Sequence, residues 1–154
     1  METALSEVAL SIERLEAAGQ RGLVSTLYGL QGIYLARVGR WDEVVESARR
    51  GREQSHPDDL DSEALWRWAD ALVTAHRGDP EAGQALLHEA IAIIDRSDET
   101  MFQANARTAL AEMLESQGDK ASARAALREA LELYRAKEVV PSIARAERRL
   151  AALA

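Results

Sequence analysis

Apolar residues recur at every third or fourth position along almost the whole chain, which is the spacing of one face of an α-helix. The first stretch shows the pattern, since Leu5, Val8, Ile12 and Leu15 are separated mainly by polar and charged residues. No stretch alternates apolar and polar residues one by one, as a half-buried strand would. The pattern predicts an all-α protein of eight helices, over about residues 3–18, 22–38, 41–55, 61–77, 80–95, 99–117, 120–135 and 141–153.

Several of the predicted helices are separated by short corners of similar composition. Gly78 is typical of a helix C-terminus, Asp79 of an N-cap, and Pro80 of the first residue of the next helix. Gly118 and, less regularly, Gly39 stand at similar corners, so that the three glycines are 39 and 40 residues apart. Consecutive helices should therefore form antiparallel hairpins that repeat along the chain.

Hairpins that repeat in this way stack into a right-handed α-solenoid, and we expect residues 1–154 to form a single domain of this type. The start of helix six is predicted from Ser97, Asp98 and Glu99, an N-cap followed by acids that suit the helix dipole. Helix eight is predicted to begin at Pro141. Its narrow apolar stripe and its arginine-rich face are typical of a terminal capping helix.

Aligning the glycines brings other small residues into register. They lie seven positions before the glycine (Gly32, Ala71, Ala111) and twelve after it (Gly51, Ala90, Ala130). The pattern resembles the tetratricopeptide repeat over about residues 22–135, although that family has a period of about 34 residues. A position that is usually large and apolar in the family holds Tyr28, Arg67 and Arg107 here, which puts the inward face of helices four and six in doubt.

The longer, degenerate repeats also look like those at the C-terminal ends of large bacterial signalling ATPases and transcriptional activators. That resemblance implies a docking or sensing scaffold and carries over no catalytic residue. In tetratricopeptide folds the first helices of successive hairpins line a concave groove. The residues at matching positions, which we predict to bind a ligand or peptide, are Ile33, Arg37, Leu65, Trp68, Leu72, His76, Asn105, Thr108, Glu112 and Glu115.

An apolar patch centred on Trp68 and Leu72, with Arg37, His76 and Glu112 at its rim, could hold a peptide or a small ligand. The alternative is that Trp68 belongs to the core. Trp66 and Trp68 cannot share a helix face, so we expect one of them in the core and the other in the groove or an interface.

Composition narrows the choice of function. The net charge is −7, and the acids and bases are spread evenly over both halves, which disfavours nucleic acid as a partner. The chain has no cysteine and no apolar stretch long enough to span a membrane, so we expect a cytoplasmic protein that does not bind membranes. The three histidines are scattered, and no phosphate loop or catalytic set occurs. We therefore predict no metal, no cofactor and no enzymatic activity.

The favoured function is a non-enzymatic scaffold that binds a protein or peptide partner. One alternative is a ligand-sensing regulatory domain, with a small apolar effector between helices two, four and six. Another is a homo-oligomeric scaffold, such as a homodimer formed through the terminal helices. The register of the repeat also suggests that the chain opens in the middle of a repeat. We therefore expect that the chain is a segment of a longer solenoid, that helix one docks on a partner chain, or that helix one caps the stack.

Overall fold

The computed structural model describes residues 2–153, which fold into eight α-helices and contain no β-strand. The helices are α1 (Glu2–Ala17), α2 (Arg21–Arg37), α3 (Trp41–Gln54), α4 (Leu60–His76), α5 (Pro80–Ile94), α6 (Thr100–Ser116), α7 (Lys120–Ala136) and α8 (Val140–Ala152). The all-α prediction is confirmed, and each predicted helix end lies within one residue of the observed one. None of the described helices is long and apolar enough to cross a membrane.

The helices form two compact units, which divide between Ile93 and Ile94. Unit 1 contains α1 to α5, apart from the last residue of α5, and unit 2 contains α6, α7 and α8. The expectation that residues 1–154 form a single domain is not tested by this division and stays a prediction.

Five of the corners use the same backbone motif, in which one residue after the helix adopts a left-handed conformation. The residues and their φ values are Gly19 (70°), Gly39 (77°), Gly78 (99°), Gly118 (83°) and Glu138 (54°). At the second corner, the Gly39 amide donates to the Ala36 carbonyl, and the Arg40 amide donates to the Leu35 carbonyl. This pair of bonds defines a Schellman motif, and it satisfies carbonyl groups that the end of the helix leaves free.

The N-cap predicted at Asp79 is correct and recurs at the similar corner with Asp119, whereas the N-cap predicted at Ser97 is wrong. Asp79 Oδ1 accepts a hydrogen bond of 3.0 Å from the Ala82 amide, and Asp119 Oδ1 accepts one of 3.0 Å from the Ser122 amide. At the start of α6 the N-cap is Glu99, without a side-chain cap bond, instead of Ser97. The Ser97 hydroxyl accepts from the Glu99 amide at 3.2 Å, so this side chain orders the loop before the helix.

Glycines let the helices of unit 1 approach each other closely. A Cβ atom at Gly29 of α2 would lie 2.6 Å from Leu65 Cβ on α4, and one at Gly32 would lie 2.8 Å from Ala69 Cβ. Helix α3 packs against both α2 and α4, and α1 packs against α2 through a cluster of Ile12, Val24 and Tyr28. The small residues found in the aligned repeats therefore act as helix-contact positions.

Unit 2 is built around α7, which contacts both α6 and α8. Its core includes Ala104 of α6, Ala130, Leu131 and Tyr134 of α7, and Ala146 of α8. Tyr134 is 1% exposed, although its hydroxyl is a strong hydrogen-bonding group. A buried hydroxyl needs partners, and α6 supplies them as described below.

Candidate functional site

Three of the six predicted groove residues of unit 1 lie in the interior. Ile33, Leu65 and Trp68 are 3%, 1% and 4% exposed, and Leu72 is half-buried. Trp66 is also buried, at 8% exposed, so both neighbouring tryptophans belong to the core of unit 1. A ligand on the surface cannot reach these three buried side chains, and Trp68 is therefore a core residue.

The two polar members of this set are exposed. Arg37 ends α2, and His76 ends α4. The His76 ring stacks on the Trp41 ring of α3, with 3.9 Å between the centroids and 10° between the planes. His76 thus joins the C-terminal end of α4 to the N-terminal end of α3, and its ring face is occupied by this contact.

In unit 2 all four predicted groove residues bind other side chains of the chain itself. The Tyr134 hydroxyl donates to Asn105 Oδ1 at 2.7 Å and lies 3.1 Å from Thr108 Oγ1. Arg149 of α8 binds Glu112 and Glu115 of α6, the latter at 3.0 Å. These polar groups, which suggested an exposed surface, are the contacts that dock α7 and α8 on α6.

The position that departs from the family pattern has a structural role in each of its three copies. In the first copy, the Tyr28 hydroxyl donates to Glu16 at 2.7 Å and accepts from Arg50 at 2.9 Å. Burial raises the pKa of Tyr28, and the bond from Arg50 opposes that shift. The hydroxyl therefore stays protonated and joins α1 to α3 across α2.

In the third copy, Arg107 takes the same place with ionic contacts. Its guanidinium binds Asp95 through two bonds of 2.8 Å and Glu129 through one of 2.9 Å, and its side chain is 15% exposed. The bonds to Asp95 raise the pKa of Arg107, so this group is always charged. Arg107 is paired with an acid on each side, which explains how α6 can carry an arginine at a position that is usually large and apolar in the family.

In the second copy, Arg67 binds Glu63 and lies over the Trp66 ring at 4.1 Å. Glu63 in turn accepts from Ser55 at 2.6 Å and from Trp66 Nε1 at 3.1 Å. Burial raises the pKa of Glu63, but the bonds from Ser55, Arg67 and Trp66 outweigh it, and the net shift is downward. The contacts of Arg67 thus lie within α4, and Glu63 is the residue that connects α4 to Ser55 at the end of α3.

Sequence reasoning missed a groove that runs between α1 and α3, with α2 as its floor. We call it the α1–α3 groove, and its central cavity has a volume of about 270 Å³. The floor and inner walls are largely apolar and include Ala9, Ile12 and Leu35. The cavity is lined by Ala9, Ile12, Glu13, Glu16, Tyr28, Gln31, Leu35, Glu43, Glu46, Ser47 and Arg50.

Two further cavities extend the α1–α3 groove toward its ends. One, of about 230 Å³, shares Ala9, Gln31, Leu35 and Glu43 with the central cavity. The other, of about 560 Å³, shares Glu16 with it. Because neighbouring cavities share lining residues, the three cavities lie in a row along α1.

A sequence signal for this groove existed in the glutamates. Glu13 and Glu16 are three residues apart on α1, and Glu43 and Glu46 are three apart on α3. Each pair shares a helix face, but only the packing of both helices on α2 brings the two faces together.

The surface of the α1–α3 groove is acidic and open, and it contains no nucleophile paired with a base. No group of three metal-ligating side chains occurs among residues 2–153.

Comparison with known families finds the tetratricopeptide repeat over residues 62–136. The matched segment runs from α4 to the end of α7, and it contains the corners at Gly78 and Gly118. No curated protein matches the chain. The chain is thus an all-α protein with tetratricopeptide-like helical repeats, a type of repeat that generally mediates protein–protein interaction.

Proposed function

We propose that the chain is a non-enzymatic scaffold that binds a segment of a partner protein along the α1–α3 groove, as part of a bacterial regulatory or signalling system in the cytoplasm. The observation that carries the proposal is the groove itself, a row of three open cavities along α1 on a helical-repeat fold. Its apolar floor offers buried contact area, and its polar rim offers orientation. The system and compartment follow from the resemblance of the repeats and from the composition.

A photo-crosslinking experiment tests this proposal. A photoreactive amino acid at Ala9, within the α1–α3 groove, should crosslink a second polypeptide in the cells that express the chain. The same amino acid at the exposed Glu81 of α5 should give little or none of that product. Absence of a crosslink from Ala9 and from exposed positions across both units would contradict a scaffold function.

The sensor alternative is disfavoured by the contact between α2 and α4. At Gly29 these helices are already so close that a single added Cβ atom would overlap Leu65. There is no room for an apolar effector between α2 and α4 at this point. Trp68, which was the proposed centre of that site, is buried.

Homo-oligomerisation remains a second candidate because large apolar side chains are exposed on both terminal helices. Leu10 of α1 is 41% exposed, and Val140 of α8 is 70% exposed. Sedimentation equilibrium of the full chain tests this function. A dimer that becomes monomeric in Leu10→Glu or in Val140→Glu would support it, and a monomer at every concentration would exclude it.

A further inference from the structure

We propose that the segment bound in the α1–α3 groove is basic, and that its arginine or lysine side chains pair with the carboxylates of α1. This inference rests on the proposed function and specifies the chemistry of the partner. It concerns the face of α2 that carries Tyr28, Gln31 and Leu35, which differs from the face where Gly29 contacts α4.

The charges that line the groove favour a cationic occupant. The central cavity is lined by four glutamates and by one base, Arg50. Glu43 is paired with Arg40, and Glu46 with Arg49 and Arg50. Glu13 forms no ion pair with any residue in the range 2–153, and Glu16 has only the Tyr28 hydroxyl as a partner. The carboxylates of α1 therefore supply unneutralised charge that a partner cation can pair with.

The floor of the groove suits the long stems of basic side chains. Arginine and lysine bury their methylene groups along apolar surface while the charged head stays at a polar rim. Ala9, Ile12 and Leu35 provide the apolar surface, and the glutamates stand beside it. Arg50 already shows this arrangement, since its guanidinium lies 5.6 Å from the centre of the Tyr28 ring and binds both the Tyr28 hydroxyl and Glu46.

The length of the groove sets the size of the segment. Its lining residues on α1 run from Glu2 to Glu16, which corresponds to about 21 Å of helix. A bound peptide of about seven extended residues would span that distance. An acidic or anionic occupant would meet the like charges of the α1 wall, and the net charge of −7 would also slow its approach.

The test begins with selection from a random peptide library on the full-length chain, because this selection presupposes no sequence. The peptides enriched should carry arginine or lysine together with an apolar residue. Enriched peptides without basic residues, or no enrichment at all, would overturn the inference. A partner crosslinked outside the groove would then leave the scaffold function standing, so failure of one proposal is distinguishable from failure of the other.

The affinity of the best basic peptide is next measured by fluorescence anisotropy with matched variants. Glu13→Gln combined with Glu16→Gln should weaken binding about fivefold, because each exposed ion pair contributes about 0.5 kcal/mol. Glu81→Gln combined with Glu89→Gln makes the same change in net charge on exposed positions of α5 and should leave the affinity unchanged. Equal weakening by both double variants would show diffuse attraction to an acidic protein and would overturn the inference.

A steric variant checks the site without altering any charge. Ala9→Phe fills the central cavity and should reduce peptide binding at least as much as the charge variant does. The folded state of each variant is verified by circular dichroism. Undiminished binding to a folded Ala9→Phe variant would place the peptide elsewhere and would contradict the proposal.

Discussion

Tyr28 in unit 1 and Arg107 in unit 2 occupy equivalent places in the repeat and make equivalent connections with different chemistry. Each is bonded to a residue 12 positions earlier, Glu16 or Asp95, and to a residue 22 positions later, Arg50 or Glu129. These two copies of the repeat therefore join the same segments at this point, although different groups make the connection.

The difference follows from what each side chain can donate and accept. A tyrosine hydroxyl both donates and accepts, so Tyr28 connects an acid on one side to a base on the other. A guanidinium only donates, so both partners of Arg107 must be acids, as they are. Tyr28 bonds both partners through one neutral hydroxyl that lines an open cavity, whereas Arg107 bonds both partners through a charged group.

The largest effect is expected from disrupting the contact between α2 and α4 in unit 1, where Gly29 of α2 lies against Leu65 of α4. In Gly29→Ala the new Cβ would lie 2.6 Å from Leu65 Cβ and 2.9 Å from the Leu65 backbone. Such overpacking should reduce the free energy of unfolding by about 2–3 kcal/mol, even after the better helix propensity of alanine. Urea denaturation followed by tryptophan fluorescence measures it, because all three tryptophans lie in unit 1.

The control for this variant lies in the same helix. A Cβ at Gly22 would meet nothing within 4 Å, so Gly22→Ala should leave stability unchanged or raise it by up to about 1 kcal/mol. If the two variants behaved alike, the close packing of α2 on α4 would not be what Gly29 provides.

The next prediction compares the two junction residues directly. Arg107→Ala removes hydrogen bonds to two charged groups and should cost about 2 kcal/mol, whereas Tyr28→Phe removes one hydroxyl and should cost about 1 kcal/mol. Circular dichroism follows helices of both units, while tryptophan fluorescence follows unit 1. The same loss for both variants would mean that the ionic junction is no stronger than the neutral one.

A smaller effect is expected at the two corners of unit 2, which adopt the same backbone conformation with different residues. Glu138 adopts the left-handed conformation that Gly118 adopts one corner earlier. Glu138→Gly should stabilise the chain by about 0.5–1 kcal/mol, and Gly118→Ala should destabilise it by about 1 kcal/mol. Thermal denaturation checks both, and a loss of stability in Glu138→Gly would contradict the account of strain at that corner.

The sequence predicted the helices and most of the corners because those signals are local. Gly78 and Asp79 act on the backbone within a few residues, and the periodicity of apolar residues acts within one helix. The prediction of Ser97 as an N-cap was wrong because hydroxyl groups order loops as readily as they cap helices, and here the helix starts after Glu99. The corner at Glu138 carries no glycine signal at all.

The candidate site was harder to predict because it depends on which helix faces meet. Glu112 and Glu115 read as exposed groove residues, and only the docking of α8 shows that Arg149 binds them. The α1–α3 groove is the reverse case, because its glutamates have the sequence pattern of ordinary solvated surface. Only the packing of α1 and α3 on α2 brings them together in a groove. Spacing within a helix gives a face, but not the neighbour of that face.

The smallest expected effect concerns pH and the second copy of the junction, in which Glu63 connects Ser55 to Arg67. The folded protein holds the pKa of Glu63 below its ordinary value of 4.5, so the carboxylate contributes stability that is present above pH 4.5. That contribution is lost as the pH falls below 4.5 and through the lowered pKa of the folded state. Glu63→Gln keeps an oxygen that can accept from Ser55 and Trp66 but cannot titrate. Urea denaturation measures the stability advantage of the unmodified chain over Glu63→Gln, and this advantage should shrink as the pH is lowered from neutral to acid. An advantage that did not vary with pH would show that the charge of Glu63 does not stabilise this junction.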